Sequence, residues 1–315
     1  LHTESILSKF FKNSSCKLLP INDNLVNKIR VNKGIEKSNN FYKLKDKDSG
    51  QSSNFKINKL AKILKKKRID FQFISASENV AWLLNIRGED SEFTPVPNSY
   101  LIINKKKEVY LFCNLKKINQ KLKKNLDKNI NIININNIES FISKIKGKNF
   151  QIDSGSCSIF FKNIIKKNNK IFEEQDPIYL LKSMKNKIEI KNITQAHIYD
   201  GLALTKFLLW LNKNFKKKKI SEISAQNRLL KFRKENKNFK SLSFPTISGA
   251  GPNASIIHYK VNKKSNRRLK KGDLYLVDSG GQYSFGTTDV TRTISLNNNQ
   301  QRIKNIFTRV LKGHI

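Results

Sequence analysis

Three polar residues set among short apolar runs, His258, Asp278 and Asp289, are where this chain could do chemistry. Each stands inside or at the end of a run whose composition suits a β-strand, where a strongly hydrated side chain is disfavoured unless something binds it. Alternation along 274–279 puts Leu274, Leu276 and Asp278 on one face and Tyr275 and Val277 on the other. Along 287–294, Asp289, Thr291 and Thr293 share a face opposite Val290, Arg292 and Ile294. The intervening residues include Gly280, Gly281 and Gly286 and can turn back. Such a hairpin brings two carboxylates together, and they repel unless a cation or a proton lies between them. Hard divalent ions such as manganese or magnesium favour carboxylate oxygen, and two ions about 3.5–4 Å apart can share a bridging carboxylate. The chemistry this suggests is metal-dependent hydrolysis. On spacing alone, however, two aspartates near a turn are more commonly exposed turn residues, and His258 reads as an ordinary strand histidine. His2, His197 and His314 gain no role from spacing, and His197 reads as part of a helix-packing face.

The elements that position these residues follow from periodicity. Apolar side chains at Ile6, Leu7, Phe10 and Phe11 have helical spacing; a strand-like run at 17–20 and a brief helical pattern over 24–30 come next. Residues 1–31 are too short to bury a core and read as the tail of a domain missing upstream. Over 32–54 the composition shifts to Lys, Asn, Ser, Asp and Gly, as in an exposed linker. A helix resumes with Leu60, Ile63 and Leu64 on one face, then a strand at 71–75. Ser75 and Glu78 have capping-box spacing ahead of a helix through Val80, Ala81, Leu83 and Leu84. Strands at 100–103, 109–113, 130–135, 150–153 and around Ile171 alternate with helices near 115–126, 138–145 and 156–165. That alternation describes an α/β domain over 55–183. Asp176-Pro177 has the form of an N-cap followed by proline at the first helical position. From Met184 a long helix carries Ile190, Ile193, Ala196, Ala203, Leu204, Phe207 and Leu211, and a second opens at Ser221. After Asn238, short strands separated by Gly, Pro and Ser form an antiparallel meander, with a helical start at 302–312. Residues 184–315 therefore read as an α+β domain, unfinished at Ile315.

With 315 residues the chain is long enough for about two domains. Its 62 Lys and Arg against 24 Asp and Glu give a formal charge of +38, which raises the question of a polyanion partner. The cations are mostly lysines spread along the chain among Asn and Ile, where a nucleic-acid footprint would be an Arg-rich patch with exposed aromatics. Nucleic acid is not an expected partner. Cys16, Cys113 and Cys157 are widely and irregularly spaced, as reduced thiols of a cytoplasmic protein would be, and no pair has zinc-ligand spacing. No apolar run approaches the roughly 18 residues of a membrane span, and the first residues lack the features of a signal peptide.

The wording of the whole stretch raises the metal reading above the ordinary one. Pro-Thr-Ile-Ser-Gly-Ala-Gly-Pro-Asn-Ala-Ser-Ile-Ile-His-Tyr at 245–259, Tyr-Leu-Val-Asp-Ser-Gly-Gly-Gln-Tyr at 275–283 and Gly-Thr-Thr-Asp-Val-Thr-Arg-Thr at 286–293 closely resemble the pita-bread metallopeptidases, in particular the three-domain Xaa-Pro aminopeptidases (aminopeptidase P). Glu-Asn-Val-Ala-Trp-Leu-Leu-Asn-Ile-Arg-Gly-Glu-Asp at 78–90, with Pro95-Val96 and Ser99-Tyr100, is similar to that group's middle domain. The ending from Val310 to Ile315 fits as well. The resemblance implies a creatinase N-terminal-like α/β domain followed by an incomplete α+β pita-bread catalytic domain. It implies that Asp278 and Asp289 are metal ligands, Asp289 bridging two divalent ions, most simply Mn2+, and that His258 hydrogen-bonds a proline-containing peptide near the scissile carbonyl. It also implies a homodimer. The family's further metal-binding histidine, two glutamates and second catalytic histidine have no counterpart here, so no catalytic residue is assigned; the chain is expected to be an inactive fragment of the parent enzyme. The alternatives are a prolidase restricted to Xaa-Pro dipeptides and a non-catalytic binding protein of the same fold.

Overall fold

The computed structural model describes all residues except 1, 17, 18, 20, 22–24, 30–38, 218 and 297–300. It divides into two compact units, Leu1–Ile188 and Glu189–Ile315.

The first unit opens with helices α1 (Glu4–Phe11) and α2 (Leu25–Ile29). The strand expected at 17–20 lies, apart from Leu19, outside the described residues. Strand β1 (Tyr42–Lys43) and helices α3 (Asp46–Ser49) and α4 (Ser53–Lys66) come next, then β2 (Phe71–Ile74), α5 (Ser77–Leu84) and β3 (Ile86–Arg87). Strands β4 (Ser99–Asn104) and β5 (Val109–Cys113) precede α6 (Gln120–Asn125), β6 (Ile130–Asn134) and α7 (Ile138–Lys144). The unit closes with β7 (Asn149–Ile152), α8 (Ile159–Asn168), β8 (Lys170–Glu173) and α9 (Pro177–Ser183).

Six strands form one sheet in the order β6-β5-β4-β2-β7-β8. Strand β4 runs antiparallel to both β2 and β5, while the β2–β7, β7–β8 and β5–β6 pairs are parallel. The strands read as near-continuous apolar runs because both faces are covered. Leu101, Ile103 and Leu111 enter one core cluster, and Phe73, Ile102 and Phe112 the other.

Three local expectations are corrected. Over its described part, the stretch expected to be an exposed linker packs into this unit: Phe41 is fully buried, and Tyr42 and Lys43 pair with Arg87 and Ile86. Its sparse apolar content hid this, because one phenylalanine and a two-residue strand suffice to tether it. The capping box at Ser75 does not form; the N-cap of α5 is Ala76 without a side-chain bond, and Ser75 Oγ lies 2.8 Å from Ser156 Oγ. The helix expected near 115–126 begins instead as a 3-10 turn at Leu115–Lys117. Asp176 does cap α9, accepting the N–H of Ile178 ahead of Pro177.

The second unit is built from α10 (Lys187–Asn214) and α11 (Glu222–Lys234), followed by β9 (Phe239–Leu242), β10 (Ile247–Ala250), β11 (Leu274–Ser279), β12 (Gly281–Tyr283), β13 (Gly286–Thr287) and β14 (Val290–Ser295). Helix α12 (Gln301–His314) ends it. The strands form two antiparallel sheets, β10-β11-β14 and β13-β12-β9. Leu204, Phe207 and Leu211 of α10, Ala225 and Leu229 of α11, and Tyr275 and Val277 of β11 share its core. His197 does not pack as expected; it is exposed, its Nδ1 2.9 Å from the Ile193 carbonyl.

Candidate metal centre

The two aspartates lie on a single bent ribbon. Asp278 pairs with Thr291 and Ser279 with Val290 in one sheet, and Gln282 pairs with Thr287 and Tyr283 with Gly286 in the other. The register is continuous across the bend: Thr288 N–H donates to the Gly281 carbonyl, and Gly281 N–H to Thr288 Oγ1, both at 2.9 Å. Gly280 therefore stands opposite Asp289, one diagonal step from Asp278. In a regular ladder such positions are about 7–8 Å apart.

Asp289 is not inside a strand, as alternation over 287–294 suggested. It occupies the break between β13 and β14, where the ribbon passes from one sheet to the other. The break depends on Gly280, since a Cβ there would overlap the Thr288 carbonyl oxygen and Ser243 Oγ. Ser243 Oγ itself donates to the Thr288 carbonyl at 2.8 Å.

Exposure separates the two carboxylates. Tyr275, Val277 and Ser279 of β11 are buried, and Leu274, Leu276 and Asp278 on the opposite face are half-buried, as the alternation predicted. Asp289 is exposed. Asp278 Oδ1 is buried and has no hydrogen-bond partner among the described residues. A buried oxygen of this kind is uncommon, and beside a second carboxylate it has the donor chemistry of a hard-cation site. The residues present therefore fit divalent ions. They do not form a complete cage: among the described residues no group of three or more His, Cys, Asp or Glu could hold a metal.

His258 lies outside any strand. It follows the 3-10 helix Gly251–Ser255 in an exposed turn, at φ +53°. That left-handed conformation is uncommon for a residue with a Cβ, and such outliers cluster at functional sites. The 3-10 helix packs on β10 and β11, and Ile247 of β10 pairs with Asp278.

Three buried charged residues, Asp200, Arg233 and Glu222, to which the sequence assigned no role, hold this framework. Asp200 of α10 and Arg233 of α11 form a bidentate pair at 2.8 and 2.9 Å. Arg233 Nη2 also donates to Ser279 Oγ at 3.0 Å, and the Tyr283 hydroxyl donates to Asp200 Oδ1 at 2.9 Å. The pair thus grips the ribbon on both sides of its bend. Burial, reinforced by the Asp200 carboxylate, pushes the Tyr283 hydroxyl pKa well up, so it remains a donor. Glu222, fully buried at the start of α11, accepts from Ala250 N–H at 2.8 Å, Asn253 Nδ2 at 3.0 Å, the Tyr259 hydroxyl at 3.0 Å and Arg267 N–H at 2.9 Å. It anchors both flanks of the His258 turn. The available signal was a charge on an apolar helix stripe: Asp200 lies between Ala196 and Ala203, and Arg233 follows Leu229 by four residues.

Residues 33–189 match the creatinase/prolidase N-terminal domain, and residues 191–315 match metallopeptidase family M24. Xaa-Pro aminopeptidase 1 of Dictyostelium discoideum is 37% identical over 305 residues, covering 93% of this chain and 48% of that protein. The chain belongs to the aminopeptidase P family. A second relative, Xaa-Pro aminopeptidase ApepP of Drosophila melanogaster, is 35% identical over 308 residues, covering 96% of this chain and 50% of that protein. The crystal structure of the X-prolyl aminopeptidase of Caenorhabditis elegans, described as a cytosolic enzyme with a di-nuclear active site, matches with a TM-score of 0.87 at 28% identity, over 95% of this chain and 50% of that one. The prolidase of Pyrococcus horikoshii shares the fold, with a TM-score of 0.64 at 22% identity over 82% of this chain and 69% of that one. The two units of the chain accordingly have the creatinase N-terminal fold and the pita-bread fold. The chain spans about half the length of the curated relatives it matches.

Proposed function

We propose that the protein containing these residues is an Xaa-Pro aminopeptidase, which releases the first residue of peptides whose second residue is proline. The observation that carries this reading is the 35–37% identity to Xaa-Pro aminopeptidases over 93–96% of the chain. In this reading Asp278 and Asp289 would each hold divalent ions. The ions, for which manganese is proposed among the hard cations that carboxylate donors favour, would supply Lewis acidity for amide hydrolysis when bound. The buried Oδ1 of Asp278 meets no competing donor, which leaves it free for a cation. His258 donates a hydrogen bond to the peptide beside the scissile carbonyl, on a turn whose neighbours Glu222 restrains. The amide before proline has no N–H, so recognition falls on the carbonyl, the ring and the free terminus.

Residues 184–315 contribute to the catalytic domain and 55–183 form the middle domain. Two carboxylates bind manganese weakly on their own, so further ligands in the full-length protein complete the site. Residues 1–315 alone are expected to release nothing from an Xaa-Pro-Xaa tripeptide. The protein is further proposed to be cytoplasmic and homodimeric, which cell fractionation and light scattering would check.

The deciding experiment compares manganese-dependent hydrolysis of an Xaa-Pro-Xaa tripeptide with that of an Xaa-Pro dipeptide by the full-length protein. Release of the first residue from the tripeptide supports the aminopeptidase; cleavage of the dipeptide alone would assign a prolidase. No hydrolysis of either would leave the non-catalytic alternative.

A further inference from the structure

The lysines are not spread evenly once the second unit is folded. Seven of the twelve residues from 260 to 271 are Lys or Arg, against 62 of 315 in the whole chain. This segment starts two residues after His258 and ends just before β11, the strand of Asp278. The described lysines of a second basic run, Lys216, Lys217 and Lys219, lead into residues 220–222, which pair with this segment. Leu269 N–H donates to the Ile220 carbonyl at 3.0 Å, Ser221 bridges Arg268, and Glu222 N–H donates to the Arg267 carbonyl at 3.0 Å.

Among the described residues of these two segments, Arg267 is half-buried and ion-paired with Asp273 at 3.2 Å. The other basic side chains, Lys263, Lys264, Arg268 and Lys270 among them, are exposed. The acids next to the two runs are already engaged, Asp273 by Arg267 and Glu222 in its buried network. The loop carrying the cations is held in shape from within: Asn262 Oδ1 accepts from Lys264 N–H at 2.9 Å and Ser265 N–H at 3.1 Å, and Ser265 Oγ accepts from Asn262 N–H at 3.0 Å. A field of like charges on a braced loop attracts anions over several ångströms. Its one aromatic, Tyr259, is buried, and Phe215 beside the second run is half-buried. Among the described residues beside the two runs there is thus no exposed ring for stacking nucleic-acid bases.

We propose that this basic surface selects peptides carrying acidic residues downstream of the proline, drawing their chains across the loop beyond His258. The proposal rests on the aminopeptidase reading for the position of the scissile bond. An extended peptide advances about 3.3 Å per residue, so side chains three to six residues past the cut would lie over a loop that begins at the His258 turn.

The test uses the full-length, manganese-loaded protein and two hexapeptides, Ala-Pro-Ala-Glu-Glu-Glu and Ala-Pro-Ala-Gln-Gln-Gln. The expected ratio of kcat/KM, acidic over neutral, is on the order of tenfold at low ionic strength. It should fall toward one near 1 M salt, where the Debye length is about 3 Å. The triple variant Lys263→Glu, Lys264→Glu, Arg268→Glu should bring the ratio to one or below. Equal rates for the two peptides in the wild-type protein overturn the proposal. If neither peptide is cleaved, the aminopeptidase reading fails separately, and fluorescence anisotropy of the labelled peptides on metal-free protein then decides the surface: selective binding of the acidic peptide, lost in the triple variant, sustains it, and equal binding removes it. Tight binding of a single-stranded oligonucleotide with no preference between the peptides would assign the surface to nucleic acid and overturn the proposal.

Discussion

Asp278 and Asp289 stand one diagonal step apart but in different surroundings. Asp289 is exposed, so Asp289→Asn should change stability by no more than about 0.5 kcal/mol. On the proposed aminopeptidase function, the same change should lower kcat/KM of the full-length protein by about 100-fold or more, the scale of losing several kcal/mol of charge stabilisation. Thermal unfolding, peptide kinetics and metal stoichiometry on one preparation check this together; a variant that stays active would show that Asp289 does not bridge the ions. His258 permits a sharper separation. Its left-handed backbone at φ +53° costs an L-residue about 1–2 kcal/mol, and glycine removes that cost. His258→Gly should be at least as stable as the parent and yet lose peptide hydrolysis. A clear fall in its unfolding midpoint would instead give the imidazole a structural role.

The bent ribbon is the element on which the candidate site depends, and its two supports fail differently. Gly280→Ala inserts a methyl group into the Thr288 carbonyl and Ser243 hydroxyl. It should destabilise the protein by about 3 kcal/mol or more, as over-packing against backbone does. Arg233→Met leaves Asp200 buried without its partner and should cost about 3–5 kcal/mol, whereas replacing both members by apolar residues should restore much of the loss. Urea unfolding of the single and double variants distinguishes a removed ion pair from general damage. In the first unit, Asp70 stands at the junction of β2, β4 and β7. Burial works to raise its pKa and is outweighed by Asn149 N–H and the Lys105 ammonium, which hold it below the usual range. Such a group stabilises the fold above its unfolded pKa of about 3.9, and the contribution is lost as pH falls through the lower folded value. Asp70→Asn should therefore cost up to about 1 kcal/mol at pH 7, with the difference closing as pH falls below the unfolded value of about 3.9.

At the scale of the whole molecule, burial sets the reactivity of the thiols. Cys113 and Cys157 are buried, which pushes both thiols up to about 12, while Cys16 is exposed. A thiol reagent should modify one cysteine rapidly at pH 8 and the other two only on unfolding. Rapid modification of more than one would contradict the packing of the sheet around Cys113 and Cys157.

Periodicity and wording alone were enough for the alternating strands and helices of the first unit, the long helices α10 and α11, and the family. Hydrophobic repeats report which face of an element is buried, and long ordered motifs are unlike chance. The same alternation put Asp278 on the half-buried face of β11. It misplaced Asp289 and His258 because alternation assumes an unbroken strand, whereas Gly280 bends the ribbon and the 3-10 helix ends before His258. Composition marked 32–54 as a linker because it counts apolar residues without knowing that Phe41 finds a core. Only the tertiary structure paired Asp200 with Arg233, gathered four backbone and side-chain donors on Glu222, and brought Ile220, next to Lys219, against Leu269 of the basic run at 260–271. Each of these joins positions tens of residues apart, and a contact of that range depends on how whole elements pack, which no local pattern of residues records.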